Sequence, residues 1–152
     1  MELGTIEREL YIEAAPEIVF EVITDPAHVE QWWPDEARYE AVVGSPGEIV
    51  FADADGGKVE TFTVVDLQPP TRFSFRWTHP AGEAASEGNS LLVTFELVAQ
   101  GAGTLVRFGE TGFRERGWNA AVLEANYRDH VTGWDYFLPR LVSRAATVAA
   151  RP

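Results

Sequence analysis

The chain has 152 residues, of which 45% are hydrophobic, a composition typical of one globular domain. It contains no cysteine, which excludes thiol chemistry and disulfides and is consistent with a reducing, cytoplasmic location. Its formal net charge is −12 and it has no basic stripe, so nucleic acid and anionic membranes are disfavoured as partners. It shows neither a signal peptide nor a run of 18 apolar residues, so we expect no membrane span.

The first third of the chain predicts a strand followed by two short helices. Residues Thr5 to Glu13 alternate between apolar and charged side chains, as in a half-buried strand. Pro16 is suited to the first position of a helix. Asp25 then ends this helix and can cap the next one. The second helix carries Trp32 and Trp33 on its apolar face.

The middle of the chain predicts six further strands separated by turns rich in glycine and proline. They are placed near Arg38–Val43, Ile49–Ala52, Val59–Leu67, Arg72–His79, Ser90–Val98 and Thr104–Thr111. Short strands joined by tight turns, with no helical pattern between them, predict an antiparallel meander. The small-residue loop before the strand at Ser90 is interpreted as a hairpin tip, with a lid over a site as the alternative.

The tail of the chain predicts one amphipathic helix that begins near Asn119, a suitable cap. Its apolar residues recur every three or four positions: Leu123, Tyr127, Val131, Trp134, Leu138 and Leu141. Pro139 cannot donate a backbone hydrogen bond and costs about 3 kcal/mol in a helix interior, so we expect a kink or a break there. The last residues of the chain are expected to fray.

Strand alternation places two titratable side chains on otherwise apolar faces. His79 follows Phe75 and Trp77 on one strand, and Glu110 follows Phe108 on another. A polar side chain on such a face lies either at the rim or buried with a partner. We interpret Glu110 and His79 as a candidate acid/base pair, because desolvation disfavours the charged form of a carboxyl group. A ligand anchor, or a structural contact with an arginine or with rim backbone, are the alternatives for Glu110.

The sequence carries little other recognisable chemistry. It has no Gly-x-Ser-x-Gly elbow and no P-loop. Its three histidines are scattered without the spacing of metal ligands, so we expect no metal site and no cofactor. His130 lies four residues before Trp134 and is interpreted as a residue of the helix surface or of a cavity edge rather than as a base.

Four stretches carry a resemblance to a known family. They are Ala15-Pro16-Glu17-Ile18-Val19-Phe20 with Trp32-Trp33, Val65-Asp66-Leu67-Gln68-Pro69-Pro70, Gly103-Thr104-Leu105-Val106-Arg107-Phe108, and Gly133-Trp134. In this order they resemble the START-like (SRPBCC) superfamily, and within it the family of the C-terminal domain of the activator of the heat-shock-protein-90 ATPase. The resemblance implies one START-like domain over residues 1–152. Its fold would be the α+β helix-grip fold, with a curved antiparallel sheet of about seven strands around the long C-terminal helix.

The resemblance also implies a hydrophobic cavity between the sheet and the long helix. Phe62 stands where many relatives have a glycine, which should fill space near that cavity. Pro139 and Glu110 are two further positions at which relatives differ. Fold alone does not fix a reaction.

Three functions stay open at this level. The first is binding of a small apolar or aromatic molecule, with contacts from Trp33, Phe62, Phe75, Trp77, His79, Phe108, Glu110, Phe113, Tyr127 and Trp134. The second is an enzyme of cyclase, dehydratase or hydrolase type, with Glu110 and His79 as acid and base. The third is an interaction module of chaperone-activator type, with a homodimer as a further alternative.

Overall fold

The computed structural model describes residues 3–52 and 57–150. Within them the elements are β1 Thr5–Ile12, α1 Pro16–Thr24, α2 Pro26–Val29, β2 Glu36–Arg38, β3 Pro46–Phe51, β4 Lys58–Gln68, β5 Arg72–Trp77, β6 Leu91–Gln100, β7 Gly103–Thr111 and α3 Ala120–Ala149. The strands form a seven-stranded sheet in the order β1-β7-β6-β5-β4-β3-β2, and each neighbouring pair is antiparallel. This architecture confirms the predicted α+β helix-grip fold.

The two short helices begin as the sequence predicts, but α2 ends at Val29, so Trp32 and Trp33 follow it and do not lie on its apolar face. Pro16 occupies the start of α1, where its missing N–H costs nothing. The Asp25 carboxylate accepts a 2.9 Å hydrogen bond from the N–H of Ala27 and so caps α2. After α2 the indole N–H of Trp32 donates to the carbonyl of Val22 at 3.0 Å. This buried hydrogen bond fixes the chain that leads into Trp33.

Helix α3 begins as expected, because the Asn119 side chain accepts a hydrogen bond from the N–H of Val122 at 2.9 Å. The break expected at Pro139 is wrong, since the helix continues through it to Ala149. Pro139 lies on the exposed face, while Leu138 and Leu141 are buried on either side of it. Burying each leucine contributes about 1.5–3 kcal/mol, which offsets the cost of the proline. The helix also extends into the C-terminal residues that were expected to fray, and it ends at Ala149.

Strand β2 is shorter than the predicted strand Arg38–Val43 and ends where that prediction begins. Tyr39 leaves the sheet edge and packs its ring 4.4 Å from that of Phe62, while its hydroxyl donates to the carbonyl of Thr24 at 2.7 Å. The two valines after residue 41 are each 56% exposed. Their β propensity has no effect here because they have no partner strand and no apolar surface to cover.

One face of the sheet is buried against the helices, as the alternation of the strands predicts. Its buried side chains include Phe62, Val64, Phe73, Phe75, Trp77, Val93, Phe95, Val106 and Phe108. Helix α3 packs on this face through Trp134, whose ring lies 4.6 Å from that of Phe108. In the part of the chain that the structure describes, no helix is both long and apolar enough to cross a membrane.

Candidate functional site

A cleft of about 440 Å³ lies between the middle of α3 and the strands β3, β4 and β5. Its volume is within the range of small-molecule sites. Six aromatic side chains line it: Trp33, Phe51, Trp77, Trp134, Tyr136 and Phe137. Lys58 and Glu60 also line it and form an ion pair of 3.1 Å. The cleft therefore has mainly aromatic walls with a few charged groups.

Trp33 is at the centre of the aromatic wall. Its ring centre lies 5.0 Å from that of Trp77 and 5.0 Å from that of Trp134. Phe51 packs edge-on against it at 6.1 Å. Such tilted and edge-to-face contacts are favourable beyond the area that they bury. The three indoles thus form a preorganised surface at the base of the cleft.

Gly133 keeps part of the cleft open. It lies in the interior of α3 and lines the cleft, and a Cβ added to it would meet no atom within 4 Å. Glycine in a helix interior costs about 0.5–1 kcal/mol relative to alanine. Alanine at this position would stabilise the helix more than glycine does, but its methyl group would take up space in the cleft.

Glu110 lies behind the indoles and is completely buried. Its Oε2 accepts a hydrogen bond from the indole N–H of Trp77 at 2.7 Å, and its Oε1 accepts one from the indole N–H of Trp134 at 2.8 Å. The same Oε1 lies 2.8 Å from Nδ1 of His130. An indole N–H can only donate. Both carboxyl oxygens therefore act as acceptors.

His130 connects the buried carboxylate to the cleft. Its ring centre lies 5.2 Å from that of Trp77 and 5.5 Å from that of Phe113, which meets it edge-on at 88°. The side chain is 11% exposed and lines the cleft. Nε2 lies on the side of the ring away from Glu110 and makes no hydrogen bond with the described residues. It is also not among the fully buried side-chain atoms that lack a partner in this part of the chain. His130 is thus at the cavity edge, but its contact with Glu110 was not predicted.

The predicted pairing of Glu110 with His79 is wrong. Strand β5 ends at Trp77, and Thr78 has a φ of +65°, so the alternation that placed His79 on the inner face stops. The Nε2 atom of His79 lies 3.4 Å from the hydroxyl of Thr63, whose side chain is on the face of β4 opposite to the core. His79 is buried there with Nδ1 unpartnered among the described residues.

The electrostatic surroundings of His79 oppose its protonation. Burial lowers the pKa of His79 below its ordinary value of 6.5, and the positive charge of Arg116 lowers it further, while Glu83 acts in the opposite direction. The Arg116 guanidinium donates to the carbonyl and the hydroxyl of Thr78, both at 3.3 Å. Arg116 is therefore fixed close to the imidazole.

The other predicted ligand contacts divide into two groups. Trp33, Trp77 and Trp134 line the cleft. The second group lies in the packed interior, outside the lining: Phe62, Phe75, Phe108, Phe113 and Tyr127. The rings of Phe62 and Phe75 stack at 4.3 Å, and the Tyr127 hydroxyl donates to the carbonyl of Thr5 at 3.0 Å. The centre of the predicted cavity is thus filled by side chains.

Sequence reasoning missed several lining residues. Gly133 and Phe137 are four residues apart and so lie on one helix face, a spacing that was available in the sequence. His130 and Trp134 have the same spacing, and the inward direction of Trp134 could have placed His130 inside as well. Phe51 could not be identified in this way, because its strand alternates only weakly.

One group of side chains among the described residues could hold a metal ion by distance alone: Glu21, Asp25 and His28, whose ligand atoms lie within 4.8 Å of one another. Asp25 already caps α2. His28 Nδ1 lies 3.2 Å from a guanidinium nitrogen of Arg144. That positive charge opposes the binding of a cation.

Comparisons with known proteins agree with the fold. Residues 13–146 match the family model of activator of Hsp90 ATPase homolog 1-like protein. Curated protein sequences give no match. Protein MLL2253 from Mesorhizobium loti has a similar structure, with 26% identity, a TM-score of 0.72, and coverage of 92% of this chain and 95% of that one.

Two further solved structures share the fold. Protein NE0264 from Nitrosomonas europaea is 13% identical, with a TM-score of 0.77 and coverage of 99% of both chains. The Aha1 dimer from Colwellia psychrerythraea is 20% identical, with a TM-score of 0.60 and coverage of 88% of this chain and 96% of that one.

Proposed function

Since the chain belongs to the family of activator of Hsp90 ATPase homolog 1-like proteins, we propose that it binds a small aromatic or apolar molecule in the cleft beside α3. The observation that carries this proposal is the aromatic wall around an open space at Gly133. A flat ligand would contact the parts of Trp33 and Trp77 that line the cleft. Burial of its apolar surface would drive binding.

The size of the cleft limits the expected affinity. It suits a ligand of one to three rings, and ligands of this size gain about 0.3 kcal/mol or more per non-hydrogen atom. A three-ring ligand of about 14 non-hydrogen atoms would then gain about 4 kcal/mol or more, so we expect dissociation constants of about 1 mM or tighter for good partners. Three tryptophans meet at the base of the cleft, so binding should change the tryptophan fluorescence.

Gly133 offers a sharp test, because its replacement changes the cleft without disturbing the core. Gly133→Leu would place a side chain in the cleft, whereas Gly133→Ala would add a single methyl group in open space. Both changes should keep or raise the stability of α3, since alanine and leucine form helices better than glycine. Any loss of binding in Gly133→Leu would then report on space and not on unfolding.

The experiment is to extract protein purified under native conditions with organic solvent and to identify any bound compound by mass spectrometry. That compound, or a panel of lipids and aromatic metabolites, is then titrated while tryptophan fluorescence is followed. The expected result is saturable quenching in the wild type and in Gly133→Ala, and at least tenfold weaker binding in Gly133→Leu. An empty extract with no response to the panel would overturn the proposal, as would equal binding by both variants.

Contact with a chaperone, a homodimer and a cytoplasmic location stay predictions for this chain. The dimer of the Colwellia protein supports a test of self-association. Sedimentation of the purified chain over a range of concentrations would decide between monomer and dimer. Co-purification with a chaperone would favour a protein-interaction function over small-molecule binding.

A further inference from the structure

Ligand binding alone gives no role to the Glu110–His130 pair. Burying a carboxylate is unfavourable unless its hydrogen bonds are made, and here two indoles and an imidazole are arranged around Glu110. We propose that His130 is a general base that takes a proton from a weakly acidic C–H or O–H group of a flat aromatic substrate in the cleft. Glu110 is the positioning residue of this base. The inference rests on the proposed function, because the substrate occupies the same cleft.

The hydrogen bonds of Glu110 determine where the imidazole proton lies. The contact of 2.8 Å between Oε1 and Nδ1 requires one proton between them. Oε1 and Oε2 each accept from an indole N–H, and this favours the carboxylate form over the neutral acid. The shared proton therefore belongs to Nδ1. A neutral imidazole with Nδ1–H has a free lone pair on Nε2.

The surrounding rings hold the imidazole of His130, and with it the lone pair of Nε2, in one orientation. Trp77 and Phe113 contact the imidazole at 5.2 Å and 5.5 Å. His130 lines the cleft, and its Nε2 has no hydrogen-bond partner among the described residues. The geometry has the three parts of an oriented base: a carboxylate, an imidazole held in one tautomer, and space for the reacting group.

The proton transfer needs no co-reactant. Nε2 takes the proton, and the electron pair of the broken C–H or O–H bond stays on the substrate as a delocalised carbanion or an oxyanion. His130 becomes an imidazolium, whose charge the Glu110 carboxylate stabilises. The imidazolium can return the proton to a different atom of the substrate, which gives an isomer of the starting compound.

The tautomer of His130 can be measured without a ligand. Nitrogen-15 NMR of the imidazole in its neutral form should show a protonated Nδ1 and an unprotonated Nε2 in the wild type. In Glu110→Leu, or in Glu110→Met if the leucine variant unfolds, no acceptor faces Nδ1, and the share of the Nδ1–H tautomer should fall. A purely structural role of Glu110 would not move this signature. A wild-type imidazole protonated at Nε2 would overturn the proposal.

The base itself can be tested with 5-nitrobenzisoxazole, a flat aromatic carbon acid. Removal of its ring C–H proton forms a nitrile, breaks the N–O bond and releases a coloured phenolate. We expect the wild type to open this ring at least 10²-fold faster than free imidazole at equal concentration. His130→Asn keeps an N–H donor toward Glu110 but lacks Nε2, and it should lose this acceleration. His28→Gln, outside the cleft, is the matched control and should keep it.

Binding of the unreactive analogue 5-nitroindole separates the two proposals. Equal quenching of wild type and His130→Asn, together with loss of turnover in the variant, would support the base. Binding without turnover in the wild type, or full turnover in His130→Asn, would overturn the base and leave the ligand cleft standing. Absence of binding to the wild type would count against both.

Discussion

Glu110 and His79 are both buried next to the end of β5, but they lie on opposite faces of the sheet. Glu110 is on the inner face, where the indole nitrogens of Trp77 and Trp134 and Nδ1 of His130 lie within 2.8 Å of its oxygens. His79 is on the outer face, with one long contact of 3.4 Å to Thr63 and Nδ1 unpartnered among the described residues. The same signal, a polar residue on an apolar strand face, thus leads to two different environments.

The difference shows that burial alone does not identify a site. The oxygens of Glu110 are enclosed by hydrogen-bonding groups, and each of these groups is held by the packing of its own ring. Burial and Arg116 keep His79 neutral, and its weak hydrogen bonding indicates mainly a packing role. Four measurements test this contrast between the two faces, and they follow in order of decreasing expected effect.

Glu110→Leu should have the largest effect. It removes the acceptor of two indole N–H groups, Trp77 and Trp134, and leaves both donors buried without partners. Each orphaned donor costs about 1–3 kcal/mol, so we expect a loss of about 2–6 kcal/mol in the free energy of unfolding. Urea unfolding monitored by circular dichroism measures it. A loss below about 1 kcal/mol would mean that the hydrogen bonds of Glu110 stabilise the fold no more than an apolar contact at the same position.

Glu110→Gln should cost less, about 1–3 kcal/mol. In either orientation of the amide, its NH₂ group faces one indole N–H, so one donor stays unpaired. Trp77→Phe removes the donor that faces Oε2, and the glutamine should therefore cost less in that background. A double-mutant cycle from urea unfolding measures the coupling. Additive costs would contradict the proposed hydrogen-bond arrangement.

The stability contributed by His79 should decrease as the pH falls. Its folded-state pKa is below the ordinary value of 6.5, so below pH 6.5 the unfolded chain binds a proton that the folded chain does not. The wild type should thus lose stability relative to His79→Phe as the pH falls through 6.5 toward the folded pKa. Urea unfolding of both proteins at several pH values measures this difference. In Arg116→Gln the pKa of His79 should rise, as NMR titration would detect.

At pH 8, where His79 is neutral in both states, His79→Phe should have the smallest effect. The variant exchanges a weakly bonded imidazole for an apolar ring of similar size, so we expect a change within about 1 kcal/mol. The measurement is the same unfolding curve at this pH. A loss as large as that of Glu110→Leu would remove the contrast between the two faces of the sheet.

Much of the fold was predictable from local patterns. The alternation in β5 and β7 placed Trp77 and Glu110 on the inner face, and the Asn119 cap marked the start of α3. The predictions of a helix break at Pro139 and of a strand after Arg38 were wrong. Both outcomes depend on which side chains become buried in the folded protein. Local propensity does not contain that information.

The candidate site was predicted only in part. The three indoles of the cleft were predicted as ligand contacts, and Glu110 as a carboxyl group on an apolar strand face, either at the rim or buried with a partner. The position of the open space was not predictable, because it depends on how Trp33 and Phe62 fill the interior and on the side chain that Gly133 lacks.

Local patterns in the sequence are enough to give the order of the elements, the inner face of each main strand and the presence of a carboxyl group among apolar residues. These features follow from the two-residue and 3.6-residue periods of strands and helices. Only the tertiary structure decided that the imidazole beside Glu110 is His130 and not His79. The reason is physical: the +65° φ of Thr78 turns His79 to the outer face, while the packing of α3 through Trp134 brings His130 within 2.8 Å of the carboxylate.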